Sequence, residues 1–292
     1  MLSLHTNAAA LSSQNSVGST QKALTTSLTR LGTGYRVNSA MDDAAGLQIA
    51  TRLNAQTRGM AVAQKNTQNG ISMMQTAEGA FNEVTNVLLR MKDLGTEAFT
   101  ASTTAADKTA LQAEYDALGA ELANIVKSTS FGGATLFSNG TTVNGSLGLL
   151  SAAINFQIGS SAGEVMSVNT AASLTAIGGA LGGVSAQYAL IPAAGTELTA
   201  GANTILTSID TALTAVGTMR AQLGAASNRL EHVYNNLGNM MTNTTASRGR
   251  ILDVDYASET SNSTAKQLLM QAGTSALKQS SSLSQLVISL MQ

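Results

Sequence analysis

From Ile205 onward the apolar residues fall at alternating steps of four and three: Ile205, Ile209, Ala212, Val216, Met219, Leu223, Ala226, Leu230, Val233, Leu237 and Met240. That is a heptad seam held over several repeats, the signature of a helix packed along its length against other helices. After a weaker patch at Thr244 and Ser247, Ile251 and Val254 return to the same register. A helix from Thr204 to Val254 would be about 75 Å long at the standard rise, which suits a rod. Met74, Ala77, Phe81, Val84, Leu88 and Met91 keep the rhythm in the first third of the chain. Leu111, Tyr115, Leu118, Leu122 and Ile125 keep it in a second, shorter helix. Between these two, "TASTTAADKTA" is a turn with Thr104 or Asp107 as the helix cap. The economical arrangement packs both helices against the long one.

The outer stretches repeat the theme. Leu4, Leu11, Val17, Leu24, Leu28 and Leu31 describe an amphipathic helix, and Leu269, Ala272, Ala276, Gln279, Leu283, Leu286 and Leu290 describe another. Val287, Ile288 and Met291 widen the second seam into more than one apolar face, and such a helix has to be buried on several sides. Periodicity changes in the middle. "SFGGATLFSNG" and "INFQIGSSAGEVMSVN" alternate apolar and polar residues around glycine turns, so Phe156 and Ile158 should pair with Val165, Met166 and Val168 across a "GSSAG" tip. Residues 170–201 follow neither period and are expected to form a small surface insertion. The fold class expected is mainly α: an elongated, coiled-coil-like rod of long antiparallel helices with a small β-hairpin region.

Composition narrows the function. The 292 residues carry 16 basic and 17 acidic side chains, so no large field points at nucleic acid or an acidic membrane. Charged residues make up 11%, well under the usual quarter, and small side chains fill the space, which favours close helix packing over a thick core. Cysteine is absent, which excludes disulfides and thiolate metal sites. The first residues lack the basic region of a conventional secretory signal. The uncharged "SLTAIGGALGGVSAQYALIPAAG" has the length of a membrane span but is interrupted by paired glycines and hydroxyls.

Candidate chemistry is sparse. Asp42 and Asp43 could serve as paired carboxylates, yet adjacent helix positions point about 100° apart. The reading preferred is structural: Ser39 caps the helix with Asp42 three residues on, and two acids favour its N-terminus. Asp253 and Asp255 lack the glycine and glutamate that a calcium loop requires, so Asp255 is expected to cap a helix starting at Tyr256. Both places look like hinges, with Arg36 and Arg250 available to pair with acids. His5 and His232 form no cluster, and Gly178, Gly179, Gly182 and Gly183 lack the Lys-Ser/Thr of a phosphate loop. No enzyme, cofactor or metal is expected.

"SLTRLGTGYRVNSAMDDAAGLQIATRL", "FQIGSSAGEVMSVN", "ASNRLEHVYNNL" and "ILDVDYASETSNSTAKQLLMQAGTSALKQSSSLSQLVISLMQ" closely resemble the signature segments of bacterial flagellins, across residues 1–168 and 203–292. The resemblance implies a filament subunit with an inner terminal-helix domain (1–40 and 256–292) and a rod-like domain with the hairpin (41–168 and 203–255). Residues 169–202 stand where larger relatives carry outer domains. It also implies an extracellular flagellum, unfolded type III export, a cytoplasmic export chaperone, and flagellar cap and hook-junction proteins as partners. Polymerisation is expected to use Leu4, Leu11, Leu24, Leu28, Leu31, Leu269, Leu283, Leu286 and Leu290. The hinge and cap residues are Arg36, Ser39, Asp42, Asp43, Arg250, Asp253 and Asp255. In the family a vertebrate innate immune receptor reads the rod, and the matching positions are Arg90, Leu94 and Glu114. Leu89 and Asp93 depart from the best-detected relatives. Arg90 and Glu114 also suit an ion pair between neighbouring subunits.

The apolar terminal helices are expected to be largely disordered in the monomer and to fold on assembly, through a head-to-tail contact that makes an open helical polymer. Two other readings stay open: a flagellar hook-junction protein, and a membrane-active translocator using Leu174–Gly195.

Overall fold

The computed structural model describes residues 7–138, 147–189, 193–200 and 203–290, without the side chains of 283–290. Its elements are six helices and two hairpins among the described residues. They divide into two compact units, residues 58–241 and residues 1–57 with 242–292. Both boundaries fall inside long helices, α2 (Ala44–Ala98) and α5 (Thr204–Leu252), which run on without a loop. The division expected at 40/41 and 255/256 followed the turns instead. Those turns are hydrogen-bonded to each other and lie within the second of these units.

The unit of residues 58–241 is built on the predicted seams. Ile205, Ile209, Ala212, Val216, Met219, Leu223, Ala226, Leu230 and Leu237 of α5 are buried, as are Met74, Ala77, Phe81, Val84, Leu88 and Met91 of α2. The shorter helix, α3 (Ala105–Ser128), adds Tyr115 and Leu122. It starts with a capping box: the Asp107 amide donates to the Thr104 hydroxyl, and the Thr104 amide donates to the Asp107 carboxylate. Phe137 closes one end of the core with its ring centroid 4.5 Å from that of Phe81.

Two antiparallel hairpins follow. Strands β1 (Ser130–Phe131) and β2 (Ala134–Thr135) turn on Gly132 and Gly133, both at positive φ, where a β-carbon would be strained. Strands β3 (Ile154–Gln157) and β4 (Val165–Val168) pair as expected, Phe156 opposite Met166. Glu164 accepts the Ser161 amide at 2.8 Å and holds the tip closed.

Among the described residues of 169–202, several are buried in the core rather than set on the surface as expected. Helix α4 (Ala171–Gly182) buries Leu174, Ile177 and Leu181, and the chain after it buries Val184, Tyr188 and Leu198 in the same core. The Tyr115 hydroxyl donates to the Val184 carbonyl at 2.7 Å. The Gln112 amide donates to Asp116 and to Glu197, both at 2.8 Å, and its oxygen accepts the Leu198 amide at 2.7 Å. This segment is a fitted cover for the unit. Its sequence hides that role because glycine pairs, each residue costing about 1 kcal/mol in a helix, dilute a seam only three residues long.

In the second unit the two turn segments meet. The Arg36 amide donates to the Leu252 carbonyl at 2.6 Å, and the Val254 amide donates to the Gly34 carbonyl at 3.0 Å. Tyr35 and Asp253 thus form an isolated antiparallel bridge. From this bridge start the two terminal helices, α1 (Ala8–Thr33) and α6 (Tyr256–Leu290).

Candidate assembly surface on the terminal helix pair

Helices α1 and α6 pack together antiparallel. Asn7 donates to the Ser280 carbonyl at 3.0 Å, Val17 lies over Gly273, Lys266 donates to the Ser27 hydroxyl at 2.6 Å, and Arg30 lies 4.0 Å from Glu259. The face of α6 that is buried or half-buried runs Glu259, Ser263, Lys266, Met270, Gly273, Leu277 and Ser280, in steps of four and three. The seam expected on α6, from Leu269 through Ala272, Ala276 and Gln279, lies one residue out of that register and is exposed. This is a correction with a physical cause. Spacing reveals that a face is apolar but not which partner covers it, and α1 covers the more polar face.

The apolar side chains are left outward. Leu268 and Leu269 of α6 are 61% and 62% exposed, and Leu11 and Leu28 of α1 are 55% and 50% exposed. Of the predicted α1 leucines, Leu24 is buried and Leu31 half-buried. Leu4 lies outside the described residues, as do the side chains of Leu283, Leu286 and Leu290. Completing the burial of one such leucine contributes at most about 1.5–3 kcal/mol, so the single chain leaves a large part of its apolar gain unrealised here.

The turn residues act locally. Asp42 accepts the amides of Asn38 and Ser39 at 3.1 and 3.0 Å and the Ser39 hydroxyl at 3.3 Å. These bonds, led by the Ser39 amide, hold its carboxyl below the usual carboxylate range. Helix α2 itself is capped by Asp43, whose carboxylate accepts the Gly46 amide at 2.8 Å. Ser39 therefore does not cap the helix, as expected from the sequence; it closes a separate turn just before it. With both carboxylates engaged in backbone contacts, neither is poised for acid–base work. Asp255 does cap α6. It accepts the Ser258 hydroxyl at 2.8 Å and the Ala257 amide at 3.1 Å, and its carboxyl is likewise held low, chiefly by the Ser258 bond.

The arginines differ from expectation too. Arg36 donates to the Ile251 carbonyl at 3.0 Å and Arg250 to the Ser247 hydroxyl at 2.9 Å. The acids are met instead by Arg30, 3.6 Å from Asp42 and 4.0 Å from Glu259. Glu259 is only 7% exposed, and Arg30 Nε and Glu259 Oε1 are buried with no hydrogen-bond partner on the protein. An unmatched buried polar atom costs about 1–3 kcal/mol, so this joint is loose. Sequence reasoning passed over Ser27, Arg30, Glu259 and Lys266. Their signal was the four-three spacing of polar residues in step with the buried seam.

On the other unit, Arg90 pairs with Glu114 inside the chain, Nη2 to Oε1 at 2.6 Å and Nε at 3.0 Å. Helices α2 and α3 place the two side by side. Leu94 is 1% exposed and packed into the core, so it cannot form part of a receptor-facing surface in the folded unit.

The profile of the bacterial flagellin N-terminal helical region matches residues 4–142, and that of the C-terminal helical region matches residues 206–291. Flagellin A of Vibrio cholerae is 34% identical over an alignment of 387 positions that covers all of both chains. The chain belongs to the bacterial flagellins. Flagellin B of the same species is 32% identical, with 95% of this chain and 96% of that one covered. The crystal structure of Bacillus cereus flagellin has a TM-score of 0.48 at 29% identity, covering 59% of this chain and 88% of that one. As a flagellin, this chain is a structural subunit of the flagellar filament, an extracellular polymer, and it is not an enzyme. The hook-junction and translocator readings are not favoured. Among the described residues no helix is long and apolar enough to cross a membrane, and Leu174, Ile177, Leu181, Val184 and Tyr188 of the translocator stretch are buried in the core.

Proposed function

We propose that filament growth uses the apolar faces that α1 and α6 do not give each other. The observation that carries this reading is the outward setting of Leu268, across the helix from the intramolecular seam, and of Leu269 on its flank. Leu11 and Leu28, with half-buried Leu31, supply the α1 side, and Leu4, Leu283, Leu286 and Leu290 extend the surface, while Leu24 is already buried within the chain. Residues 1–40 and 256–292 act as the inner domain and 41–168 with 203–255 as the rod. The turns at Arg36–Asp43 and Arg250–Asp255 are the hinges between these roles. Burial among other copies stabilises the terminal helices by mass action, since the growing end binds the folded form. The absence of cysteine and the single proline suit export as an unfolded chain through the type III apparatus, with a chaperone over the C-terminal helix. Hook-junction proteins and a cap at the tip complete the partners. Arg90 and Glu114, half-exposed on the rod, are the surface offered to an innate immune receptor, without Leu94.

Deleting residues 283–292 tests the reading. The shortened chain should keep the helical signal of residues 58–241 and fail to extend filament seeds, followed by electron microscopy. Normal filaments from that chain would refute it.

A further inference from the structure

The buried steps of the α1–α6 seam carry Ser27, Glu259, Ser263 and Lys266. An apolar side chain at such a position strengthens a helix pair in any register. A polar one is satisfied in one register and stranded in the others, so it trades strength for selectivity. Here two adjacent polar steps lie together, the first hydrogen-bonded and the second selecting by charge alone, since Arg30 Nε and Glu259 Oε1 have no hydrogen-bond partner in this register either. Lys266 donates to the fully buried Ser27 at 2.6 Å, and on the next turn Arg30 faces Glu259 at 4.0 Å. Sliding the antiparallel pair by one heptad in one direction sets Arg30 against Lys266, two cations together. Sliding it the other way takes Arg30 off Glu259 and sets Lys266 against Thr20. A third mark is steric. A β-carbon at position 273 would lie 2.7 Å from Val17 Cγ2, so Val17 is seated where only glycine leaves room.

We infer that the Ser27–Lys266 and Arg30–Glu259 steps, with Val17 over Gly273, carry along the helices the single register that the Tyr35–Asp253 bridge starts at their base, and that this register decides which leucines the pair offers to the next copy. The second half rests on the assembly reading above; the first does not. Arg30, Glu259 and Lys266 are positioning residues on this view. Their weak geometry is the cost of a pair that must choose its alignment while leaving its apolar side chains for others.

The chain has no cysteine, so an introduced pair reports by itself. The β-carbon built at 273 is 4.0 Å from Val17 Cβ, inside the span of about 3.5–4.5 Å that a disulfide bridges. Full-length Val17→Cys/Gly273→Cys is oxidised before seeding and within filaments, and the bond is read by non-reducing electrophoresis and peptide mass. The out-of-register control is Val17→Cys/Ser280→Cys. Both pairs are repeated in an Arg30→Leu/Glu259→Leu/Lys266→Leu background. The expected result is an intrachain 17–273 bond favoured several-fold over 17–280 with the polar steps present. With leucines in their place that preference should fall several-fold, the bridge at Tyr35 and Asp253 alone then holding the alignment. An unchanged preference in the leucine background, or no 17–273 bond in the native one before or after seeding, would overturn the register claim. A chain that forms the 17–273 bond yet is refused by seeds would instead overturn the assembly reading and leave the register standing.

Discussion

Two kinds of polar side chain hold this molecule at the residue scale, and they respond to different stresses. Tyr115 is buried and donates to the Val184 carbonyl, fastening the cover of residues 171–198 to α3. Tyr115→Phe leaves that carbonyl without its donor and should cost about 1–3 kcal/mol, read as a lower melting temperature with the helical signal intact. The turn carboxylates are exposed and respond to acid. Asp42 and Asp255 are held below their ordinary value of 3.8 by bonds to the ionised form. A lowered folded value means the stabilisation is complete above the ordinary value and is lost as pH falls through the folded one. Amide exchange at Asn38, Ser39 and Ala257 should therefore quicken only below pH 3.8. Asp42→Asn should remove the acid step at the first two, and the Ala257 step should remain. Asp255 as a cap was legible in the sequence because an acid preceded a periodic run. Asp43 was taken for a second acid in the first turn because Ser39 also sat at capping distance from an acid. Arg30 was passed over because nothing local marks an arginine whose partners lie on two other segments.

At the scale of elements, legibility follows period length. The seams of α2 and α5 repeat often enough that their buried residues are legible almost one for one, from Ile205 to Leu237 and from Met74 to Met91, whereas in the shorter α3 only Tyr115 and Leu122 of the expected five are buried and Leu111, Leu118 and Ile125 are half-buried. The β3–β4 hairpin was legible from alternation around "GSSAG". Helix α4 and the chain after it were not, because glycines interrupt the pattern and because Tyr115 and Gln112, which bond the chain after α4, lie far away in sequence. Helix α6 was legible as a helix but not in orientation: Leu268 and Leu269 belong to a surface that no described part of the chain covers. That orientation makes a sharp prediction. Leu268→Ser with Leu269→Ser should leave the α1–α6 pair in place and weaken seeded growth. The lost burial is roughly 2–4 kcal/mol, which corresponds to an increase of about 100-fold in the concentration needed for growth. Centrifugation of polymer from monomer measures it, and growth at the native concentration would remove these leucines from the contact.

Across the whole molecule, burial is distributed unevenly between the two units. Residues 58–241 hold one large apolar core and a smaller cluster at Met60, Ala63 and Leu237, whereas among the described residues of the other unit only Leu24, Val37 and Ala50 are buried apolar side chains. Helices gain most of their stability from packing of this kind. The structure describes α1 and α6 as helices in the single chain, but with little to hold them. Dilute monomer should accordingly exchange the amides of α1 and α6 within the dead time of a hydrogen-exchange experiment while the seams of α2 and α5 stay protected. Filaments should protect all four. Terminal helices as slow as the core in the monomer would remove the coupling of order to assembly.

The tyrosine fastener has an optical consequence. Tryptophan is absent and there are five tyrosines, of which Tyr115 and Tyr188 are buried beneath or within the α4 cover while Tyr35 and Tyr256 face solvent. Ultraviolet emission from this protein is therefore tyrosine emission alone, and its quenchable and shielded fractions belong to different parts of the chain. A loosening confined to the cover would brighten or dim the shielded fraction without touching the rest, so an unlabelled sample carries a built-in gauge of that one joint.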